Sequence, residues 1–203
     1  MKHLLLPALL LLMSCAALAQ DHPKAEFFAG YSYARAFEED IDLTNFGALG
    51  VARRRDANLN GFNIAINYNP ASWLGIVGDI GGVYGRADYV VATPLAAAQF
   101  RAGTKLHTFL FGPQFSARTE KVTIFGRALV GFARLDQSAN INGQTFSGDE
   151  TAFAYGAGGG VDFKASDTVS IRAIQGDVIW TRFGNGTQRN LRLSTGVVFR
   201  NKD

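Results

Sequence analysis

The segment Phe62-Asn63-Ile64-Ala65-Ile66-Asn67-Tyr68 decides the fold, because large apolar residues occupy every even position and small or amide residues every odd one. Successive side chains of a β-strand point to opposite faces, so a period of two gives this segment one apolar face and one polar face. The pattern predicts a strand with an apolar medium on one side and a polar space on the other.

The same period recurs in seven further segments. Together the eight predicted strands cover about 25–34, 59–68, 73–84, 105–116, 122–134, 151–163, 169–182 and 189–200. Most are about twice as long as a typical strand of a soluble protein. At a rise of about 3.3 Å per residue and a tilt near 40°, ten to twelve residues cover roughly 25 to 30 Å. Each segment can therefore cross a bilayer.

The predicted connections alternate between short and long. Tight turns are predicted at 69–72, 117–121 and 164–168, and longer loops at 35–58, 85–104 and 135–150, with a shorter loop near 183–188. Outer-membrane barrels have short periplasmic turns and longer outer loops. The sequence predicts an all-β protein, an eight-stranded antiparallel up-and-down transmembrane β-barrel.

The amino-terminal segment differs from the rest of the chain. Lys2 and His3 precede the apolar run 4–13, and the small-residue stretch Ala16-Ala17-Leu18-Ala19 follows. This order is typical of a secretory signal peptide. We predict a signal peptide over 1–19 and a barrel domain over 20–203. A rival interpretation takes Leu12-Met13-Ser14-Cys15 as a lipoprotein signal that lipidates Cys15, although Met13 fits that motif poorly.

Composition excludes several other classes of protein. The single cysteine excludes a disulfide scaffold. A net charge of +3, with acidic and basic residues interspersed, argues against a nucleic-acid binder. An aromatic content of 12% argues against disorder.

The alternation also assigns faces, with large apolar residues toward lipid and polar or small residues toward the lumen. The predicted inward set is Glu26, Asn63, Asn67, Asp79, Gln114, Arg127, Gln175, Asp177, Arg192 and Ser194, with glycines 156, 158 and 160 relieving crowding. Buried charges need partners. We therefore predict a structural cluster in the lumen, in which Asp177 pairs with Arg192 and Asp79 with Arg127; an electrostatic gate is the alternative interpretation. A lipocalin has the opposite arrangement, an apolar interior.

Aromatic residues fall at the ends of the predicted strands, where a membrane-interface belt would place them. The predicted belt comprises Tyr68, Phe115, Phe163 and Phe199 at the turn end and Tyr33, Tyr84 and Trp180 at the loop end.

Four segments carry a resemblance to a known family: 29–33 (AGYSY), 73–82 (WLGIVGDIGG), 111–116 (FGPQFS) and 196–199 (GVVF). They resemble the bacterial outer-membrane β-barrel domain family that is related to the OmpA transmembrane domain, and the likeness extends over about 25–200. The resemblance implies an eight-stranded barrel in the outer membrane of a Gram-negative envelope. It also implies contact with the outer-membrane insertion machinery, which reads a final aromatic residue; here Phe199 is followed by four more residues.

Chemistry-bearing residues are sparse. An eight-stranded lumen is largely filled by side chains, so a general porin-like pore is not expected. Only His22 and His107 follow the predicted cleavage site, and no serine with a base and an orienting acid accompanies His107. We predict no catalytic residue, no cofactor and no metal site.

The remaining place for specific function is the outer loops. In the loop 35–58, an acidic run at 38–42 and Arg53-Arg54-Arg55 either bind lipopolysaccharide phosphates or solvate each other. The leading hypothesis is a monomeric, non-enzymatic barrel acting in envelope integrity or in adhesion through its loops. Its expected partners are outer-membrane lipids and lipopolysaccharide. The alternatives are a lipid-modifying enzyme similar to lipid A deacylases and a soluble, lipocalin-like periplasmic carrier.

Overall fold

The computed structural model describes residues 22–36, 39–42, 51–54, 57–92, 97–141, 144–183 and 187–201. The predicted signal peptide over 1–19 lies outside these residues. The described chain forms ten strands: β1 Ala25–Ala36, β2 Glu39–Asp42, β3 Val51–Arg54, β4 Ala57–Tyr68, β5 Leu74–Ala92, β6 Ala97–Arg118, β7 Val122–Ile141, β8 Gln144–Lys164, β9 Val169–Thr181 and β10 Gln188–Arg200. Within the ranges just given, no helix is long and apolar enough to cross a membrane.

Eight of the strands close into a barrel. Every neighbouring pair is antiparallel, in the order β1, β4, β5, β6, β7, β8, β9 and β10, and β10 pairs back with β1. The closed antiparallel eight-stranded barrel predicted from the sequence is confirmed. The two short strands β2 and β3 are inserted between β1 and β4 and join the sheet through β5.

Large apolar side chains lie on the outside of this barrel. Ile66, Phe111 and Ile124 are about 60% exposed, whereas Asn63, Asp79 and Gln175 inside are at most 1% exposed. A soluble barrel would place these two classes the other way round. The fold therefore matches a lipid environment outside and a polar, packed interior.

Four strands are longer than the sequence pattern predicted. β5 to β8 have 19, 22, 20 and 21 residues, so most of the predicted loops 85–104 and 135–150 are strand instead. Pairing runs without a break from Leu74 opposite Phe115 to Ala92 opposite Ala97. Backbone groups of a hairpin bond to each other whether lipid or water lies outside. The apolar alternation therefore ends before the strands do.

The predicted loop 35–58 likewise contains two strands, β2 and β3. Glu39 lies opposite Arg54 and Asp40 opposite Arg53 in their register. Opposite charges at facing positions of a strand pair favour the pairing. The acidic and basic runs of this segment are thus neighbours in the strand register.

A β-bulge interrupts the alternation in β9. Ser194 is opposite Gln175, whereas Gly196 is opposite Arg172, so β9 holds one extra residue between them. Ala173 and Ile174 are both exposed, while Arg172 and Gln175 are both buried. Strict alternation groups Arg172 with the outward residue Ile174, so the bulge hid this lumen residue from the sequence analysis.

Candidate functional site: the charged lumen and the outer rim

The structure brings the four predicted lumen charges together. Asp79 lies on β5, Arg127 on β7, Asp177 on β9 and Arg192 on β10, and each is at most 4% exposed. Although they lie on four different strands, their side chains meet because each occupies an inward position at a similar level of the barrel. The cluster is a property of the closed barrel, since no two members are close in sequence.

Each arginine of the cluster contacts both aspartates. Arg127 donates to Asp177 from Nε (2.9 Å) and Nη2 (2.8 Å), and its Nη2 is 3.1 Å from Asp79 Oδ2. Arg192 Nη2 donates to Asp79 Oδ1 at 2.8 Å and to Asp177 Oδ2 at 3.1 Å. The two predicted pairs are therefore parts of one four-membered network, in which bidentate geometry offsets the cost of burying charge.

Amide side chains add further hydrogen bonds to the aspartates of the cluster. Asn63 Nδ2 donates to Asp79 Oδ2 at 2.9 Å. Gln175 Nε2 donates to Asp177 Oδ2 at 2.9 Å and to Asn63 Oδ1 at 3.0 Å. Arg127 Nη1 has no hydrogen-bond partner among the described residues. A buried donor of this kind is commonly satisfied by an ordered water.

A second buried pair, Asp162 and Arg172, was missed by the sequence analysis. Arg172 donates to Asp162 from Nε at 2.7 Å and from Nη2 at 2.9 Å. Its guanidinium carbon lies 4.3 Å from the ring centroids of both Phe28 and Phe125. Arg172 Nη1 also donates to Gln175 Oε1 at 2.6 Å, which joins this pair to the central cluster. Asp162 occupies an inward even position of its strand and could have been found by alternation alone.

A third pair closes the turn end of the lumen. Arg118 donates to Glu26 from Nη1 at 2.9 Å and from Nη2 at 3.0 Å. Asn67 and Asn69 add further hydrogen bonds to Glu26 Oε2. Glu26 is inward as predicted, whereas Arg118 ends β6 and does not belong to a turn. Together, the central cluster and these two further pairs contain four arginines and four carboxylates.

An apolar layer lies next to the central cluster on its loop side, which the sequence analysis did not anticipate; buried polar residues such as Thr181 and Gln188 lie farther toward the loop end. Val83, Leu106, Leu129 and Ile179 are at most 5% exposed and belong to one hydrophobic cluster. Leu129 and Ile179 each lie one inward step beyond Arg127 and Asp177 on their strands. Charged residues below and a packed apolar layer above leave the lumen filled by side chains, as expected for eight strands.

The predicted aromatic belt residues face outward near the two ends of the barrel. At the turn end, Tyr68, Phe115, Phe163 and Phe199 are about half exposed, and Trp73 stacks on Phe115 with a centroid distance of 6.1 Å. At the loop end, Tyr33 OH donates to Asn58 Oδ1 at 2.7 Å, and Trp180 stacks on Tyr155 at 5.5 Å. Their role at a membrane interface stays a prediction.

His107 lies on the outer surface at the loop end. Its Nε2 is 3.1 Å from Tyr84 OH, and its Nδ1 is 3.7 Å from Asp136 Oδ2. Its described polar neighbours are thus a phenol and a carboxylate at the rim. Among the described residues, no group of three or more His, Cys, Asp or Glu side chains could hold a metal ion.

Three solved outer-membrane proteins are similar to this structure. The attachment invasion locus protein Ail of Yersinia pestis has a TM-score of 0.58 at 20% identity, with 88% of this chain and 100% of that chain covered. Neisserial surface protein A has a TM-score of 0.56 at 16% identity, covering 86% and 97%. OprG from Pseudomonas aeruginosa has a TM-score of 0.56 at 13% identity, covering 90% and 98%. Likeness at these identities concerns the fold alone.

No curated protein sequence matches the chain significantly. The family model of the outer membrane protein beta-barrel domain, however, matches residues 7–199, nearly the whole sequence. That match agrees with the closed eight-stranded barrel and with its apolar outer surface. The chain belongs to the outer membrane protein beta-barrel domain family and is a protein of the bacterial outer membrane.

Proposed function

We propose that this barrel is a non-enzymatic surface protein that binds a partner outside the cell through its protruding hairpins. The observation that carries the proposal is the length of β5 to β8. Pairing of β4 with β5 ends at Gly85, but β5 continues to Ala92. Pairing of β8 with β9 begins only at Ala154, but β8 starts at Gln144. The two hairpins project beyond the barrel wall as a sheet.

One edge of this projecting sheet is open. Residues 144–152 of β8 pair with β7 on one side and with no described strand on the other. An open edge presents unpaired backbone donors and acceptors to which an extended peptide can add as a further strand. Asp149 and Glu150 place charges on this edge, and such charges limit self-association of barrels.

The closed lumen supports binding over transport. Four arginines and four carboxylates are paired inside, and the apolar layer of Leu129 and Ile179 covers the central cluster. A rigid barrel that holds protruding segments is a common platform for recognition. One barrel of similar fold is named an attachment invasion locus protein. We propose that the present chain has an attachment role as well.

The test is a hairpin truncation. Residues 137–148 are replaced by Asn-Gly, a two-residue turn that retains the facing pair Asp136 and Asp149. Cells displaying the barrel are assayed for binding to immobilised serum and extracellular-matrix proteins. The matched control, Glu120→Ala with Lys121→Ala, alters the turn at the opposite end. We expect the truncation to abolish binding and the control to retain it, with both variants showing heat-modifiable gel migration.

Two results would contradict the proposal. Binding by the truncated barrel at the level of the control would show that the hairpin is not the binding element. A change in the lipid A of a deletion strain, restored by the intact protein, would favour the lipid-modifying enzyme, whose site would then be sought at His107. A Tyr84→Phe variant, which removes the hydroxyl beside His107, would test that site directly.

A further inference from the structure

The mouth of the lumen at the turn end is lined by cations at the ends of four strands. Asn69 N donates to Lys24 O at 2.8 Å, which continues the pairing of β1 with β4. Lys164 N donates to Lys121 O at 2.8 Å, which continues the pairing of β7 with β8. Alternation then places Lys24, Lys121 and Lys164 on the lumen side of the chain. Together with Arg200, the last residue of β10 and also on the lumen side, they form what we call the cationic mouth.

The described turn end carries fewer free carboxylates than cations. Glu26 and Asp162 lie deeper in the lumen, and each is paired with its own arginine. The exposed carboxylates are Glu120 and Asp167, and Asp167 Oδ1 lies 2.9 Å from Lys164 Nζ. Four cations minus these two carboxylates leave a net charge of +2 at the mouth. An ion pair between exposed side chains contributes little, so Lys164 can exchange Asp167 for the carboxylate of a ligand.

The guanidinium of Arg200 is only partly used by the protein. Its Nη2 donates to Ser166 O at 3.1 Å. Its Nε is buried and has no hydrogen-bond partner among the described residues. A guanidinium presents several N–H donors in a planar fork that matches a carboxylate. Arg200 therefore adds hydrogen-bond donors for a carboxylate to the charge of the three lysines.

An open cleft of about 440 Å³ lies between two turns at this mouth, and its lining residues are Glu120, Lys121, Lys164, Ala165 and Ser166. Both turns are held by their own side chains. Thr119 Oγ1 donates to Val122 O at 2.9 Å and accepts from Val122 N at 3.0 Å. Ser166 Oγ accepts from Val169 N at 3.1 Å. The walls of the cleft are therefore ordered before a ligand binds, which lowers the entropic cost of binding.

The arrangement of charges suits a peptide with several carboxylates better than a compact phosphate. The four cations belong to four different strand ends, so their charge is spread around the mouth and does not converge on one point. Glu120 also lines the cleft, and its carboxylate repels a phosphate but can accept a hydrogen bond from a peptide N–H.

We infer that the cationic mouth binds an acidic peptide segment of a partner on the periplasmic side, where the short turns of outer-membrane barrels lie. The peptide binds at the mouth and does not enter the lumen, because the pairs Glu26 with Arg118 and Asp162 with Arg172 close the space beneath it. This site is independent of the projecting hairpins, which lie at the opposite end of the barrel.

The test measures peptide binding by the intact protein in phosphatidylcholine nanodiscs, which leave both ends of the barrel accessible. The probe is a fluorescent peptide that repeats Asp-Gly-Ser four times, and its binding is followed by fluorescence anisotropy. The test variant is Lys121→Gln with Lys164→Gln. The matched control is Arg86→Gln with Lys105→Gln, which removes the same charge from exposed positions at the loop end. We expect the affinity for the peptide to fall about fivefold in the test variant and to be unchanged in the control.

Three results would overturn the inference. Equal losses of affinity in both variants would show a response to net charge only. Equal binding of a peptide that repeats Asn-Gly-Ser would show that the carboxylates are not recognised. Tighter binding of inorganic phosphate than of the acidic peptide, with the same dependence on Lys121 and Lys164, would assign the site to phosphate. If the double variant does not fold, Lys121→Gln alone gives the same test with an expected loss of about twofold, since this side chain is exposed.

Discussion

Arg127 and Asp177 form a two-bond ion pair across an intervening strand, because Gly158 stands between them. Arg127 on β7 is opposite Gly158 on β8, which is opposite Asp177 on β9. A Cβ atom at Gly158 would lie 2.1 Å from Asp177 Oδ1 and 2.5 Å from the carbonyl oxygen of Gly176. The missing side chain leaves the space that the guanidinium and carboxylate occupy.

Gly158→Ala should therefore disturb the charge cluster. We expect a loss of about 1–3 kcal/mol in the free energy of unfolding, the usual cost of overpacking. Gly126→Ala is the matched control on the outer surface, where the nearest atom to an added Cβ would be 3.9 Å away. It should be neutral or stabilising, because glycine within a strand costs conformational entropy. Urea unfolding in detergent micelles, followed by heat-modifiable migration, measures both; equal effects would refute the steric argument.

Removal of one partner of the central cluster should cost more than removal of both. Arg127→Met leaves Asp177 and Asp79 short of a cation in a buried site, and we expect a loss of about 3–5 kcal/mol. Adding Asp177→Leu should recover part of this loss. Arg134→Met, which removes two exposed ion pairs, should cost at most about 1 kcal/mol. A double variant no better than the single one would show that the cluster does not act as a coupled unit.

The central cluster could be predicted from sequence because its four members obey the alternation of their strands. Arg172 could not, because the β9 bulge shifts it to the lumen, and a bulge of one residue has no signature in a single sequence. The apolar layer was missed for a different reason. Leu129 and Ile179 occupy inward positions of their strands. The alternation rule assigns large apolar residues to the lipid face, but such residues can also pack against each other inside the lumen. The extent of the hairpins was missed because strand pairing does not require an apolar face.

Arg172→Lys tests whether the planar guanidinium matters beyond its charge. Lysine would keep the cation near Asp162 but would lose the bidentate geometry and the stacking between Phe28 and Phe125. We expect a loss of about 1–3 kcal/mol in unfolding free energy. Lys121→Arg, an exchange of cations at an exposed turn, should have no measurable effect. If Arg172→Lys left the unfolding free energy unchanged, the guanidinium would contribute only its charge at this site.

The two tryptophans offer a test of the aromatic belt, because they lie at opposite ends of the barrel. Trp73 precedes β5 at the turn end, and Trp180 lies near the loop end of β9. Single-tryptophan variants, Trp73→Phe and Trp180→Phe, isolate each fluorophore in lipid bilayers. Lipids brominated near the headgroup should quench both fluorophores more than lipids brominated near the chain ends. Stronger quenching from the bilayer centre at either tryptophan would place that end of the barrel inside the apolar band.

The proposed function requires the hairpins to face the outside of the cell, and cysteine labelling measures this directly. In a Cys15→Ala background, Ser138→Cys places a thiol on the projecting part of β7, and Ser166→Cys places one in the turn between β8 and β9. Both serines are exposed, so accessibility differs only through the membrane. A membrane-impermeant maleimide applied to whole cells should label Ser138→Cys alone, and both variants should be labelled after the outer membrane is permeabilised. Labelling of Ser166→Cys alone on whole cells would reverse the orientation of the barrel, and the projecting hairpins would then face the periplasm, where they could not bind a partner outside the cell.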